Sequence, residues 1–173
     1  MWHLISHRSD WEKMNNSGTP ISSKEHDRER VLKTALNILA FAEITESGLR
    51  RKLTDKGYTA DDTEFAVAYM VKHRYLDEKR YLFRLVEYLG NTKLYGKRRI
   101  TMQVKQKGFS QKTLSMWLNE ALDCVSDVEN CKKVLPKVKK DTDKKTVEAL
   151  LRRGFVYGDI KTAMQSDFDD DFA

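Results

Sequence analysis

The residues best suited to chemistry in this chain are basic side chains that recur on short amphipathic segments. One segment, 97–107, carries five of them around the apolar pair Ile100 and Val104. Similar basic sets flank apolar positions in the segments 49–56 and 144–153. Lysine and arginine side chains bind phosphates and carboxylates, so the pattern predicts a polyanion or an acidic protein surface as partner. The candidate contact residues are Lys97, Arg98, Arg99, Lys105 and Lys107, together with Arg50, Arg51, Lys52, Arg152 and Arg153.

Charge is unevenly distributed along the chain, which has 173 residues and a formal net charge of +6. Residues 79–112 hold ten basic residues and one acidic residue, whereas the chain ends in an acidic run over 167–171. A basic stretch of this density fits a nucleic acid or an acidic protein surface, and its alternative is a solvated helix face. A regularly spaced set of basic helices would suit a partner that is itself a repeating polymer.

No catalytic or metal-binding constellation is found in the sequence. It has no glycine-rich phosphate loop and no nucleophile elbow, and the acids at its end are expected to be solvated. His3 and His7 could share a helical face, but their terminal position favours incidental spacing over a metal site. Cys124 and Cys131 are too far apart for a disulfide within one helix. A non-enzymatic protein without cofactor or metal is therefore expected, and the absence of a long apolar run or a secretory signal predicts a cytoplasmic protein without membrane association.

Apolar residues at spacings of three and four predict helices, and no alternating pattern competes with them. The first predicted helix covers about residues 24–43. Another is expected to start at residue 78 and to run toward Gly90. The predicted N-caps of later helices are Thr45, Thr59, Asp77 and Ser126.

A helix-glycine-aromatic-helix pattern occurs three times, at Gly57, Gly108 and Gly154. Each glycine is expected to adopt the left-handed conformation that ends a helix, with the aromatic residue packing back against the next helix. Because another amphipathic helix precedes each pair, the predicted fold is all-α, an elongated tandem array of three three-helix repeats. Hinge freedom is expected near 90–96 and 140–142. The predicted boundaries are 1–23 for a flexible arm, 24–76, 77–125 and 126–166 for the three repeats, and 167–173 for an acidic tail.

Four stretches, in this order, resemble the RecX family of regulatory proteins. They are ALNILAFAEITESGLRRKLTDKGY, YLDEKRY, YGKRRITMQVKQKGFS and LLRRGFVYGDI, within residues 31 to about 165. The resemblance implies a modulator of the RecA recombinase that acts in DNA repair, recombination and the SOS response. It further implies binding in the groove of the RecA filament on single-stranded DNA, and inhibition of recombinase, ATPase and coprotease activities. The chain departs from the family pattern at Gly48, where the family has an acid, and in its first 23 residues and its DFDDDFA ending.

The residues themselves leave a second function open. Three-helix modules with a basic helix can also read duplex DNA, so a direct DNA-binding regulator is the alternative. In either case the protein is expected to be a monomer. The aromatic residues expected in the core, rather than on a base-stacking surface, are Tyr58, Phe109, Trp117 and Phe155.

Overall fold

The structure, a computed structural model, describes residues 23–140 and 142–170. Every regular element in these two ranges is helical, which confirms the all-α prediction. None of their helices is both long enough and apolar enough to cross a bilayer. The predicted arm as far as residue 22, with His3 and His7, lies outside the described residues, as do residues 171–173 and the side chains of 166–170.

The regular elements of the described ranges are nine α-helices and one short π-helical turn. The π-helical turn, Tyr88–Thr92, follows the fourth helix directly. In chain order the α-helices are α1 (Ser23–Phe41), α2 (Glu46–Thr54), α3 (Ala60–Lys72), α4 (Glu78–Glu87), α5 (Lys97–Gln106), α6 (Gln111–Asp123), α7 (Asp127–Val138), α8 (Asp143–Arg152) and α9 (Tyr157–Asp170).

Four of these helices start at the predicted capping residues. The hydroxyl of Thr45 accepts a hydrogen bond from the Gly48 amide over 3.1 Å, and Thr59 does the same for α3. Asp77 caps α4 and Ser126 caps α7. Each cap pairs an amide that has no partner within its own helix, which fixes the residue at which the helix begins.

The left-handed conformation is confirmed at all three predicted glycines, and the helix predicted to run toward Gly90 ends a few residues earlier. Gly57, Gly108 and Gly154 have φ angles of 86°, 76° and 93°, which confirms the left-handed helix ends. The helix expected to run toward Gly90 instead ends at Glu87, and Gly90 lies inside the π-helical turn. A side chain at Gly90 would place its Cβ 2.7 Å from Val125, so glycine here permits close packing.

Three hydrophobic clusters follow one another along the chain. The first is built mainly from α1–α3, the second from α4–α6 and the third from α7–α9. Large side chains in each cluster are fully buried, for example Leu49, Ile100 and Phe155. Burying a side chain of this size contributes about 1.5–3 kcal/mol to folding.

The predicted aromatic core residues occupy two kinds of environment. Phe155 is 0% exposed and Phe109 is 6% exposed, which confirms the prediction for both. Tyr58 is half-buried against the first cluster and its hydroxyl lies 2.7 Å from the hydroxyl of Thr34. Trp117 is half-buried against the second cluster, with the ammonium of Lys79 3.3 Å from its ring centroid.

The two cysteines are unpaired, and we expect them to react very differently. Cys131 is fully buried, and burial raises the pKa of its thiol to about 11, whereas Cys124 is exposed. Because the thiolate is the reactive form, iodoacetamide at pH 8 should modify Cys124 first and Cys131 only after unfolding. Peptide mass spectrometry over time tests this, and Cys124→Ser should remove the fast phase. Equal rates for the two thiols would contradict it.

Candidate binding surface of basic residues

The first and second clusters meet where the start of α2 contacts the glycine turn after α5. The hydroxyl of Thr45 donates to the carbonyl of Lys107 over 3.2 Å. The hydroxyl of Ser47 donates to the carbonyl of Gly108 over 2.6 Å. We call this contact between the start of α2 and the Gly108 turn the first junction.

The second and third clusters meet in the corresponding way. The start of α5 contacts the glycine turn after α8, and the Gly96 amide donates to the carbonyl of Arg153 over 3.0 Å. We call this contact between the start of α5 and the Gly154 turn the second junction. The segment between residues 90 and 96, predicted as a hinge, is held here by Arg153 and by Asn130, whose side chain donates to the carbonyl of Gly90.

One acidic side chain completes each junction. Glu78, the first residue of α4, accepts a hydrogen bond from the Glu46 amide at the start of α2, over 3.0 Å. Asp127, the first residue of α7, accepts one from the Lys97 amide at the start of α5, also over 3.0 Å. Each acid therefore supplies the acceptor that the first amide of a helix in the preceding cluster would otherwise lack.

The carboxylate of Glu78 serves a second helix as well. It accepts hydrogen bonds from the Ser110 amide (3.1 Å), the Ser110 hydroxyl (2.6 Å) and the Thr113 hydroxyl (2.9 Å) at the start of α6. The residue is only 6% exposed. Glu78 thus joins the starts of α2 and α6, which belong to different clusters.

The tightness of the second junction predicts a large difference between two glycine substitutions. A Cβ added at Gly154 would overlap the Cβ and backbone of Arg99, whereas a Cβ added at Gly57 would meet nothing within 4 Å. Gly57→Ala should therefore cost only the left-handed backbone strain, about 1 kcal/mol. Gly154→Ala adds overlap at the junction and should cost roughly 3 kcal/mol or more. Urea unfolding of both variants measures the difference, and equal costs would contradict the contact.

The ten predicted basic residues fall into two sets, one beside each junction, because each junction joins one basic helix to another. We call them the first and second basic sets. The first set lies on α2 and at the end of α5, and the second at the start of α5 and the end of α8. The first set is Arg50, Arg51, Lys52, Lys105 and Lys107, and the second is Lys97, Arg98, Arg99, Arg152 and Arg153.

Arg50 is held by acids of its own chain. Its guanidinium lies 2.7 Å from the carboxylate of Glu64 and 3.2 Å from that of Glu46. The hydrogen bond with Glu64 is the largest cause of the raised pKa of Arg50. Its charge is therefore already paired within the first cluster.

Two arginines of the second set pack onto one aromatic ring. The guanidinium carbon of Arg99 lies 4.2 Å from the ring centroid of Tyr95, and that of Arg153 lies 5.5 Å away. Arg99 also donates to the carbonyl of Arg152, and Arg153 to that of Lys93. These two arginines stabilise the second junction. Cation-π contacts of this kind contribute about 0.5–2 kcal/mol each to stability.

The other seven residues are better placed to meet a partner. Six of them are exposed: Arg51, Lys52, Arg98, Lys105, Lys107 and Arg152. Lys97 is half-buried. Sequence reasoning did not single out Lys93, which is exposed next to the second set and whose pKa is raised by a hydrogen bond to Tyr88. Lys93 lies three residues before Gly96, the residue at which α5 is capped, and this closeness in sequence to the basic start of α5 could have indicated it.

A cleft of about 570 Å³ lies at the first junction. It is open because Gly48 occupies the position at which the second junction has Arg99, whose side chain crosses that junction. Two cationic residues and two side-chain amides line the cleft, which is a donor set suited to a phosphate or a carboxylate. Its lining residues are Ser47, Gly48, Arg51, Gln103, Gln106, Lys107 and Gly108. Within the described ranges no group of three His, Cys, Asp or Glu residues is arranged to hold a metal ion.

The comparisons with known proteins agree on one family, although no protein-family model matches the chain. The chain is 34% identical over 116 residues to Regulatory protein RecX of Pectobacterium atrosepticum, an alignment that covers 58% of this chain and 68% of that protein. It is 34% identical over 101 residues to Regulatory protein RecX of Salmonella newport, covering 53% of this chain and 60% of the relative.

Two crystal structures share the fold. RecX from Lactobacillus salivarius superposes with a TM-score of 0.71 at 21% identity, over 82% of this chain and 96% of that one. A second crystal structure, of a regulatory protein RecX, also gives a TM-score of 0.71, at 19% identity over 86% and 81% of the two chains. The identity to the curated relatives and the share of the Pectobacterium protein that is matched establish that this chain belongs to the family of RecX regulatory proteins.

Proposed function

We propose that this protein is a non-enzymatic regulator of the RecA recombinase that binds the RecA filament on single-stranded DNA and inhibits its activities. The proposal is supported by the presence of exposed basic residues in both basic sets of a chain that belongs to the RecX family. The activities inhibited are strand exchange, ATP hydrolysis and the coprotease function of the SOS response.

The arrangement of the clusters supports a filament as the partner. We take the three clusters as tandem three-helix repeats, bounded at residues 24–76, 77–125 and 126–166, which together form an elongated array. The two basic sets lie at opposite ends of α5, whose 10 residues are about 15 Å long. A surface of regularly spaced cations gains most from a partner that repeats its own acidic groups, because each further contact is made within one complex.

The seven accessible basic residues are the contact residues in this proposal. They bind acidic groups in the filament groove, on RecA itself or on the phosphates of the DNA. Arg50, Arg99 and Arg153 act indirectly, since their guanidinium groups are engaged within the chain. They hold the helices that present the other seven.

Direct DNA binding is the second candidate function, and it rests on the cationic cleft at the first junction. Arg51 and Lys107 line this cleft, and it is open to a DNA phosphate. A protein that acts in this way would bind bare DNA in the absence of RecA, and its affinity would fall steeply with salt.

The test is a titration of the protein into RecA that is hydrolysing ATP on single-stranded DNA. A filament regulator should suppress hydrolysis when it is present in fewer copies than RecA, and should bind bare single-stranded and duplex DNA weakly. Unchanged RecA hydrolysis, together with sequence-specific duplex binding at physiological salt, would refute the filament proposal in favour of direct DNA binding.

A further inference from the structure

We propose that two copies of this chain associate head to tail through a third junction of the same kind as the two within the chain. In this contact the start of α8 in one copy docks on the Gly57 turn and Asp27 of the next copy. The inference concerns self-association and does not depend on the proposed function.

The two internal junctions supply the template. In each, the start of a basic helix contacts the glycine turn of the following cluster, and an acid accepts the first amide of that helix. An array of this kind has one half of a junction left over at each end. Heterologous contacts between unlike ends extend in one direction rather than closing a symmetric dimer.

The leftover turn is the one at Gly57. An added Cβ there meets nothing within 4 Å, whereas the equivalent atoms at Gly108 and Gly154 would meet the neighbouring helix. The acid that the template requires is also present. Asp27 lies four residues before the buried Val31, as Glu78 lies four before Leu82 and Asp127 four before Cys131. Unlike those two acids it is the fifth residue of its helix, and one of its oxygens lies 3.5 Å from the guanidinium of Arg30.

The leftover helix start is that of α8. Its N-cap residue, Thr142, matches Thr45 in position, is exposed and makes no side-chain capping bond. In the template its hydroxyl would donate to the carbonyl of Lys56 in the next copy. The Asp143 amide, which matches the Glu46 amide, would donate to Asp27.

The charges at the two ends can be compared with those beside the first junction. In the first junction Glu43 pairs with Arg84 over 3.1 Å and with Arg80 over 3.7 Å.

At the free ends the position of Glu43 is taken by Lys140 and that of Arg80 by Glu29, so an attractive pair is retained with its signs exchanged. The position of Arg84 holds Lys33, which repels Lys140, so one attraction and one repulsion replace the two ion pairs. The end-to-end contact is therefore weaker than the first junction, and dilute protein is a monomer.

The experiment is sedimentation equilibrium of the full chain over a concentration series up to about 1 mM, where contacts of about 4 kcal/mol become visible. The weight-average mass should rise from 20.2 kDa past that of a dimer, because growth is open-ended. Asp27→Lys removes the acceptor end, and Asp143→Pro removes the amide that the donor end supplies, at a first helical position that tolerates proline. Each should raise the dissociation constant about tenfold. The matched controls, Lys112→Glu and Glu120→Lys on the exposed face of α6, should leave it unchanged.

Mixing the two end variants separates this arrangement from every symmetric one. The Asp27→Lys chain keeps an intact α8 start, and the Asp143→Pro chain keeps an intact Gly57 end. Their mixture should form a dimer and stop there, although neither variant associates appreciably alone. A constant monomer mass for the wild type, growth that the end variants leave unaltered, or a mixture that stays monomeric would each overturn the proposal.

Discussion

The quadruple variant Arg51→Glu, Arg98→Glu, Lys107→Glu and Arg152→Glu is expected to lose at least about 100-fold of its potency against RecA ATP hydrolysis. Two of these residues belong to each basic set, and all four are exposed. Each substitution removes an attraction and adds a repulsion toward an acidic partner. The measurement is the concentration of protein that halves the hydrolysis rate on single-stranded DNA, at two salt concentrations.

A matched control separates a specific surface from net charge. The variant Lys72→Glu, Lys112→Glu, Lys133→Glu and Lys137→Glu changes the charge by the same amount at exposed positions outside both sets. It should retain most of the potency and lose it only where salt is low, because nonspecific attraction is screened within a Debye length of about 8–10 Å at physiological salt. Equal losses in the two variants would show that no particular basic residue contacts the filament.

The variant Glu78→Ala is expected to lower the free energy of unfolding by roughly 3–5 kcal/mol. It leaves two backbone amides and two hydroxyls without their acceptor, at the starts of α2 and α6. Glu78→Gln should also be costly, since its amide nitrogen cannot accept hydrogen bonds from these donors. Urea unfolding measures both losses. A loss under about 1 kcal/mol for Glu78→Ala would mean that the carboxylate does not join these helices.

Asp127 provides the comparison for the same role at the second junction. Burial is the largest cause of its raised pKa, and the Lys97 amide opposes that shift. A carboxyl with a raised native-state pKa binds its proton more tightly when folded, so its ionisation lowers stability as pH rises from 3.8 through the native pKa. Asp127→Asn keeps an oxygen for the Lys97 amide and removes this dependence. Its stability relative to wild type should therefore increase with pH over that window.

The helix caps and glycine turns could be predicted because they depend on residues close in the sequence. Thr45 and Gly48 are three residues apart, and the left-handed angle at Gly57 follows from the residue itself. The three clusters likewise follow from the local spacing of apolar residues. No local sequence pattern indicates the π-helical turn, and the close approach of Val125 to Gly90 within it joins residues 35 positions apart.

The candidate surface was predictable in composition but not in detail. The basic residues are visible in the sequence, yet Arg50 is paired with Glu64, fourteen residues away, and Arg99 with the carbonyl of Arg152. Such partners are decided by how neighbouring clusters pack. For the same reason Glu78 could be identified as a helix-start residue, but its acceptance of the Glu46 amide could not.

The order in which the junctions join the basic helices aligns the dipoles of these helices head to tail. The end of α8 contacts the start of α5, and the end of α5 contacts the start of α2. Each helix carries about half a positive charge at its start and half a negative charge at its end, so these charges offset one another at both junctions. Among the described residues the start of α8 and the Gly57 end have no such neighbouring helix, and only side chains offset their dipoles: Asp143 in the first turn of α8, and Arg51 and Lys52 in the last turn of α2. A molecule with two unlike ends of this kind would favour one orientation on a filament that has its own polarity.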